Sequence, residues 1–158
     1  MTDFRIIEAR EHHCGKIIRR LRMEHLAALV GLGVHAHGEI RKNFDISGYR
    51  RAWLVDGALG AVWGITGPLM SSQGYGWLAI SEEGTKYPIE IAKETKRQFA
   101  AIMLTKRDVI TTLLPEDKTA MRYAQWIGFE QMHTTPVPYG NGRVIAMRYR
   151  GPSLARAA

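Results

Sequence analysis

Asp56-Gly57 stands between YRRAWLV and ALGAVWGIT, two runs with the aromatic and β-branched residues of strands. A two-residue hairpin needs positive φ at its central positions, and Asp-Gly reaches that conformation at low cost. The two runs are therefore expected to lie side by side and antiparallel. Further along, YGWLAIS (residues 75–81) and DVITTLL (108–114) are separated by a helical segment led by Pro88. A strand, a crossover helix and a strand of that length return the chain in the same direction, which gives a parallel pair. A chain with both connections folds a mixed α/β sheet covered by helices.

The other elements follow from periodicity. FRIIEA (4–9) reads as a first strand, and residues 11–29 read as one long helix with Ile17, Ile18, Leu21, Leu26 and Leu29 at helical spacing. EIRKNF forms a second, shorter helix. The helix from Pro88 runs to about Leu104, with Ile91, Thr95, Phe99 and Ile102 or Met103 toward the sheet and Lys93, Lys96 and Arg97 toward water. PEDKTAMRYAQWI is a helix that ends at Gly128, where the absence of a Cβ makes a left-handed residue cheap. FEQMHTT and RVIAMRYR supply two last strands, joined by the turn-rich PVPYGNG. The expected order is β-α-α-β-β-β-α-β-α-β-β, in one domain over residues 1–150 followed by a short basic tail, 151–158.

Composition sets limits on function. At 158 residues and 46% apolar content, the chain can bury one full core. LAALVGLGV (26–34), the longest apolar run, is too short to span a bilayer. The acidic start MTDFRIIEAR lacks a signal-peptide core, and the single Cys14 allows no internal disulfide, so a reducing cytoplasm is the expected compartment. The formal charge of +7 is concentrated in KIIRRLR, KETKRQ and the tail. A solvated helix face explains such clusters first, and non-specific contact with nucleic acid is the alternative they leave. His12 and His13 are adjacent and diverge by about 100° on a helix, and His35 and His37 lie in a glycine-rich turn, so no metal is expected. Cys14 lacks the partner pattern of a nucleophile.

The element order, together with the IGFE corner at residues 127–130, resembles the GCN5-related N-acetyltransferase (GNAT) fold over nearly the whole chain. A narrower resemblance is carried by GEIRKNFDISGYRRAWLVDGALGAVWGI, WLAIS, the Pro-led helix with KRQF, and MRYAQWIGFE. These are similar to GNAT-like proteins of tailed bacteriophages and prophages, a group that includes internal virion proteins of short-tailed coliphages. That resemblance implies virion or host proteins as partners. It also implies a location in the bacterial host cytoplasm or in the particle.

The GNAT resemblance implies acetyl-CoA as cofactor and allows two motifs to be checked. Enzymes of the fold cradle the pyrophosphate with Q/R-x-x-G-x-G/A between the fourth strand and the next helix. There, glycines admit the phosphates and free N–H groups meet the anion. Here the segment is SEEGTKYPIE: Gly84 is the only glycine, Lys86 offers a point charge, Glu82 and Glu83 oppose it, and Pro88 has no N–H. The family's helix before the Gly-Phe corner reads N-x-x-A-x-x-x-Y-x-x-x-G-F, and its Tyr often protonates the departing thiolate. Aligned on Gly128 and Phe129, Ala120 matches, Asp117 takes the Asn position and Ala124 the Tyr position. Tyr123 precedes it by one residue, a turn of about 100° away from the thiolate.

Tyr123 and Glu39 are thus the candidate catalytic residues, with Asp45, Glu82 and Glu83 as further carboxylates near an acceptor cleft. Trp77, Ala79 and Ile80 are expected to line a notch for the pantetheine arm. Two functions remain in view. One is a phage-type GNAT-like protein that binds proteins and has lost or reduced its acetyl-CoA chemistry. The other is an active N-acetyltransferase acting on a protein or small amine. The enzyme needs an open notch between strands 75–81 and 109–114. The protein-binding form is expected to fill it with Trp77, Trp126 or Tyr123 and to expose an apolar patch elsewhere.

Overall fold

The computed structural model describes residues 1–68, 70–103, 106 and 108–150, with Arg150 described by its backbone alone. The proposed tail, 151–158, and the expected helix end at Leu104 lie outside the described residues. Three strands open the sheet: β1 (Phe4–Glu8), β2 (Ser47–Val55) and β3 (Ala58–Thr66). At the β2–β3 corner Asp56 has φ 47° and Gly57 φ 80°, the pair of positive values a tight hairpin requires. Between β1 and β2 run α1 (Glu11–Arg19), α2 (Met23–Gly31) and α3 (Ala36–Asp45). Next come β4 (Gln73–Ile80), a 3₁₀ turn (Gly84–Lys86), α4 (Pro88–Ile102), β5 (Asp108–Leu113) and α5 (Lys118–Ile127). The chain closes with β6 (Glu130–Gln131), β7 (Val137–Tyr139) and β8 (Gly142–Arg150).

The sheet order is β1-β2-β3-β4-β5-β8-β6, with β7 on β8. The β4–β5 pair is parallel and the other pairs are antiparallel, as the two connection types require. Alternation along the strands divides the core between two faces. Val62, Trp77 and Ala79 pack with Ile17 of α1 and Phe44 of α3 on one face. Trp63 and Met147 pack with Phe99 of α4 and Met121 and Ile127 of α5 on the other. Each such side chain, fully withdrawn from water, contributes about 1.5–3 kcal/mol. The inward positions of α4 are those its spacing predicts: Ile91, Thr95, Phe99, Ile102 and Met103 are buried.

Four local expectations are corrected. The helix expected over 11–29 is two, because Leu21 is buried and bridges Ser81. A non-local pairing there outcompetes helical continuation. α3 starts earlier than EIRKNF, at Ala36, with His35 as its cap: His35 Nδ1 accepts from the Gly38 N–H at 3.2 Å. α5 starts later than Pro115, because the Asp117 carboxylate accepts from the Ala120 N–H at 3.0 Å and sets the first turn. Of FEQMHTT only Glu130–Gln131 is strand, whereas PVPYGNG contains the strand β7.

Candidate ligand-binding notch

β4 and β5 pair over three positions, Gln73 with Asp108, Gly74 with Val109 and Tyr75 with Ile110. Beyond them the strands part. β4 stays registered on β3 as far as Ile80, and β5 on β8 as far as Leu113, so each is held by its outer neighbour. The gap opens into a cavity of about 350 Å³ under α2 and α3, at the small end of the range for small-molecule sites. Its wall is chiefly apolar, with Ala28 and Leu29 of α2, Ile40 of α3, Trp63, Phe99 and Ile127. At its floor the hydroxyls of Tyr75 and Thr112 meet at 2.8 Å across the two strands.

Two of the three residues expected to line the notch do so. Trp77 and Ile80 border the cavity. Trp77 is also held outside it, its Nε1–H donating to Ser47 Oγ at 2.7 Å. Ala79 shares Trp77's face of the sheet, but its methyl group is fully buried in the core against α1 and α3 and does not reach the cavity that the longer Trp77 side chain borders. Gly84 borders the cavity for a packing reason, since a Cβ there would lie 2.1 Å from the Gly60 carbonyl oxygen. Lys86 is exposed and pairs with Glu83 at 2.9 Å, and that carboxylate raises its pKa.

The phosphate cradle is occupied from within. Gly84 N–H donates to Ser81 Oγ, Thr85 N–H to Ser81 O, Lys86 N–H to Glu83 O and Tyr87 N–H to Gly84 O. Glu82 accepts from Met23 N–H at 2.9 Å, capping the start of α2. Successive residues of a strand aim their backbone groups at opposite edges. Ser81 N–H uses the β3 edge, donating to Gly60 O at 3.0 Å. Ile80 and Glu82 therefore face the notch, and there Ile80 O accepts from Arg22 N–H while Glu82 N–H donates to Arg20 O. From this edge Arg22 reaches across to Asp117, 3.3 Å away at the start of α5. The segment Arg20–Arg22 thus spans the mouth of the notch. Acetyl-CoA, which this fold implies, would find here neither free N–H donors in the 84–87 turn nor an unpaired cation on Lys86 or Arg22; the residues do not fit its diphosphate.

Tyr123 borders the cavity, but its hydroxyl donates to Thr95 Oγ1 at 2.8 Å, and burial pushes its pKa above the ordinary tyrosine value. Burial is the larger effect and holds its proton, while the Thr95 hydrogen bond pulls the other way. Ala124 stands at the position of the family's acid. Glu39 borders the cavity from α3 and accepts from Tyr139 O–H at 3.2 Å. Asp45 is engaged by Arg41 instead. Trp126 is exposed under Lys96 and leaves the notch open, contrary to the filled form expected of a protein-binding descendant.

His25, which the motif comparison missed, borders the cavity from α2. Burial first, and then the Arg22 charge, lower its pKa to about 4 against the pull of Asp117, so it is neutral at pH 7. As a lone histidine inside an apolar helix it carries no pattern; only the fold gives it neighbours. His13 Nδ1, by contrast, accepts from the Arg10 N–H and serves the start of α1. Among the described residues, no helix is long and apolar enough to cross a membrane.

No family model and no curated protein matches the chain. Solved structures do. The aminoglycoside acetyltransferase AAC(6')-Ib, in complex with ribostamycin and coenzyme A, is 11% identical, with 98% of this chain and 97% of that chain covered at a TM-score of 0.68. A spermidine N-acetyltransferase from Vibrio cholerae, in complex with CoA and spermine, is 11% identical over 94% and 95% at 0.65. The ribosomal-protein-S18-alanine N-acetyltransferase from Escherichia coli is 10% identical over 94% of both chains at 0.60. Likeness at such low identity establishes the fold. The chain has the GNAT fold, in one domain.

Proposed function

We propose that this chain is a GNAT-fold protein of the bacteriophage or prophage type, with reduced acetyl-CoA chemistry and a role in binding other proteins of the virion or host. The observation that carries the reading is the self-occupied cradle. The N–H groups of residues 84–87 are spent on oxygens of residues 81–84, and the carboxylates of Glu82 and Glu83 hold Met23 and Lys86. The acid position held by Ala124 and the committed hydroxyl of Tyr123 support the same reading. A surface for protein partners is available on α2, which exposes Met23, Leu26 and Val30. Titration calorimetry with acetyl-CoA and with free CoA tests the proposal. It expects no heat at millimolar ligand, and micromolar binding would overturn it.

The open notch favours a second reading, an active N-acetyltransferase for a protein or small amine. Transfer between a bound thioester and an amine can proceed largely by proximity. Glu39 and neutral His25 then stand as proton acceptors at the cavity wall, and Trp77 and Ile80 as walls for the pantetheine arm. Release of free thiol from acetyl-CoA in the presence of polyamines, aminoglycosides or N-terminal peptides is the observation this reading requires.

A further inference from the structure

We infer that the notch is a binding site for compact, apolar, uncharged ligands, from which molecules with an anionic head are excluded by the chain's own Arg20–Arg22 strap. The inference rests on the reading of a self-occupied cradle and adds to it the class of ligand the cavity takes.

Three observations carry it. First, the strap occupies the notch edge of β4 where the strand ends, with Arg22 N–H on Ile80 O at 2.9 Å and Glu82 N–H on Arg20 O at 3.0 Å. Leu21, between them, is buried. A ligand that needs this edge must displace a packed segment and two hydrogen bonds. Second, the charges at the cavity wall leave nothing for an anion. Arg22 is matched by Asp117 at 3.3 Å, and Glu39 adds a carboxylate. His25, which also borders the cavity, is neutral at pH 7. An anion entering this apolar space would meet net negative charge in a poorly solvating medium, and such charges are costly to bury without a partner. Third, the cavity is real and apolar. About 350 Å³ remains between strands whose facing edges beyond Tyr75 and Ile110 are not paired with each other. Those edges offer backbone groups to one hydroxyl or amide on an otherwise apolar body.

The strap also shows how exclusion could be relieved. Asp117 has two tasks, neutralising Arg22 and capping α5 through Ala120 N–H. Serine caps a helix about as well as aspartate. Asp117→Ser therefore leaves the helix start in place and leaves Arg22 only the exposed Glu24 carboxylate at 3.9 Å, a pair that water screens, so the guanidinium can meet an anion in the cavity.

The test uses the full chain, with Trp63 and Trp77 at the cavity wall as emission reporters. The probes are 1-octanol, octyl phosphate and acetyl-CoA. In the wild type, octanol should bind at least about tenfold more tightly than octyl phosphate. Ala28→Phe, which fills the cavity from α2, should abolish octanol binding. In Asp117→Ser, the octanol preference over octyl phosphate should fall by about tenfold. Equal binding of octanol and octyl phosphate by the wild type would overturn the inference. So would octanol binding that survives Ala28→Phe, or no binding of octanol at all. If Asp117→Ser fails to fold, the wild-type ratio alone decides. Acetyl-CoA separates the two readings: micromolar binding would sink the reduced-chemistry proposal and, because its diphosphate is anionic, the exclusion with it, whereas no binding of acetyl-CoA together with equal binding of octanol and octyl phosphate would overturn the ligand class alone.

Discussion

The two ends of β4 treat the same strand edge in different ways. At its start, Gln73, Gly74 and Tyr75 pair with β5, a strand of the sheet. At its end, Ile80 and Glu82 pair with Arg20 and Arg22, a linker between helices. Between them the edge is open to a cavity. The start is backed by β8 behind β5 and by Asp108, whose carboxylate Arg148 engages with two nitrogens. The end is backed by local side-chain contacts: the Arg22–Asp117 ion pair, the Glu82 carboxylate on Met23 N–H, and a glycine pressed on a neighbouring strand. The notch is therefore closed by sheet at one end and by substitutable side chains at the other. Function, whatever its ligand, is more easily altered at the mouth than at the floor.

The largest effect is expected at the glycine. Gly84 lies against the Gly60 carbonyl, and a methyl group there would stand 2.1 Å from that oxygen. Backbone has to move, and the 3₁₀ turn that fills the cradle moves with it. Gly84→Ala should cost about 3 kcal/mol, read from urea unfolding. An unchanged midpoint would show that the mouth is far looser than its contacts suggest.

The pH dependence is next. The folded-state pKa of His25 is lowered to about 4 from 6.5, because burial and Arg22 disfavour the imidazolium. Between those values the unfolded chain binds more protons than the folded one, so stability falls as pH falls through that window and is complete above it. The slope is on the order of 1 kcal/mol per pH unit. His13 is lowered in the same sense, so the wild-type curve contains both residues. His25→Gln should remove part of the acid loss between pH 6.5 and 4 in a series of thermal melts. A curve parallel to the wild type would mean that α2 lifts from the cavity before the imidazole is protonated.

How much of this was legible in the sequence follows from the range of each signal. Asp56-Gly57 acts locally, and its hairpin is where the sequence puts it. The inward face of α4 is a periodic signal of one helix and is equally plain. The strap is not, because Ile17, Ile18, Leu21, Leu26 and Leu29 keep helical spacing across the break. Only Ser81, distant in sequence, pulls Leu21 out of the helix. The site was half legible. Alignment on Gly128-Phe129 located Tyr123, Ala124 and Asp117, and the unusual SEEGTKYPIE segment drew attention to the cradle. That Glu82 would cap α2, or that His25 and Arg22 would face Asp117, depends on three segments meeting, which no motif records.

The smallest effects separate the two ends most cleanly. Asp117→Ala removes both a cap and the Arg22 partner and should cost about 1–2 kcal/mol, whereas Asp117→Ser, which keeps the cap, should cost a few tenths. At the floor, Tyr75→Phe removes one hydroxyl from the pair with Thr112 and should cost about 0.5–1 kcal/mol. Tyr75 is half-buried, and burial raises its pKa. The two residues border one cavity but belong to different closures. Their costs should therefore add in Asp117→Ala/Tyr75→Phe, within about 0.5 kcal/mol, if floor and mouth are independent. A larger coupling energy in that double-mutant cycle would mean that β4 transmits strain along the open stretch between them. The notch would then open as a unit instead of from the strap alone.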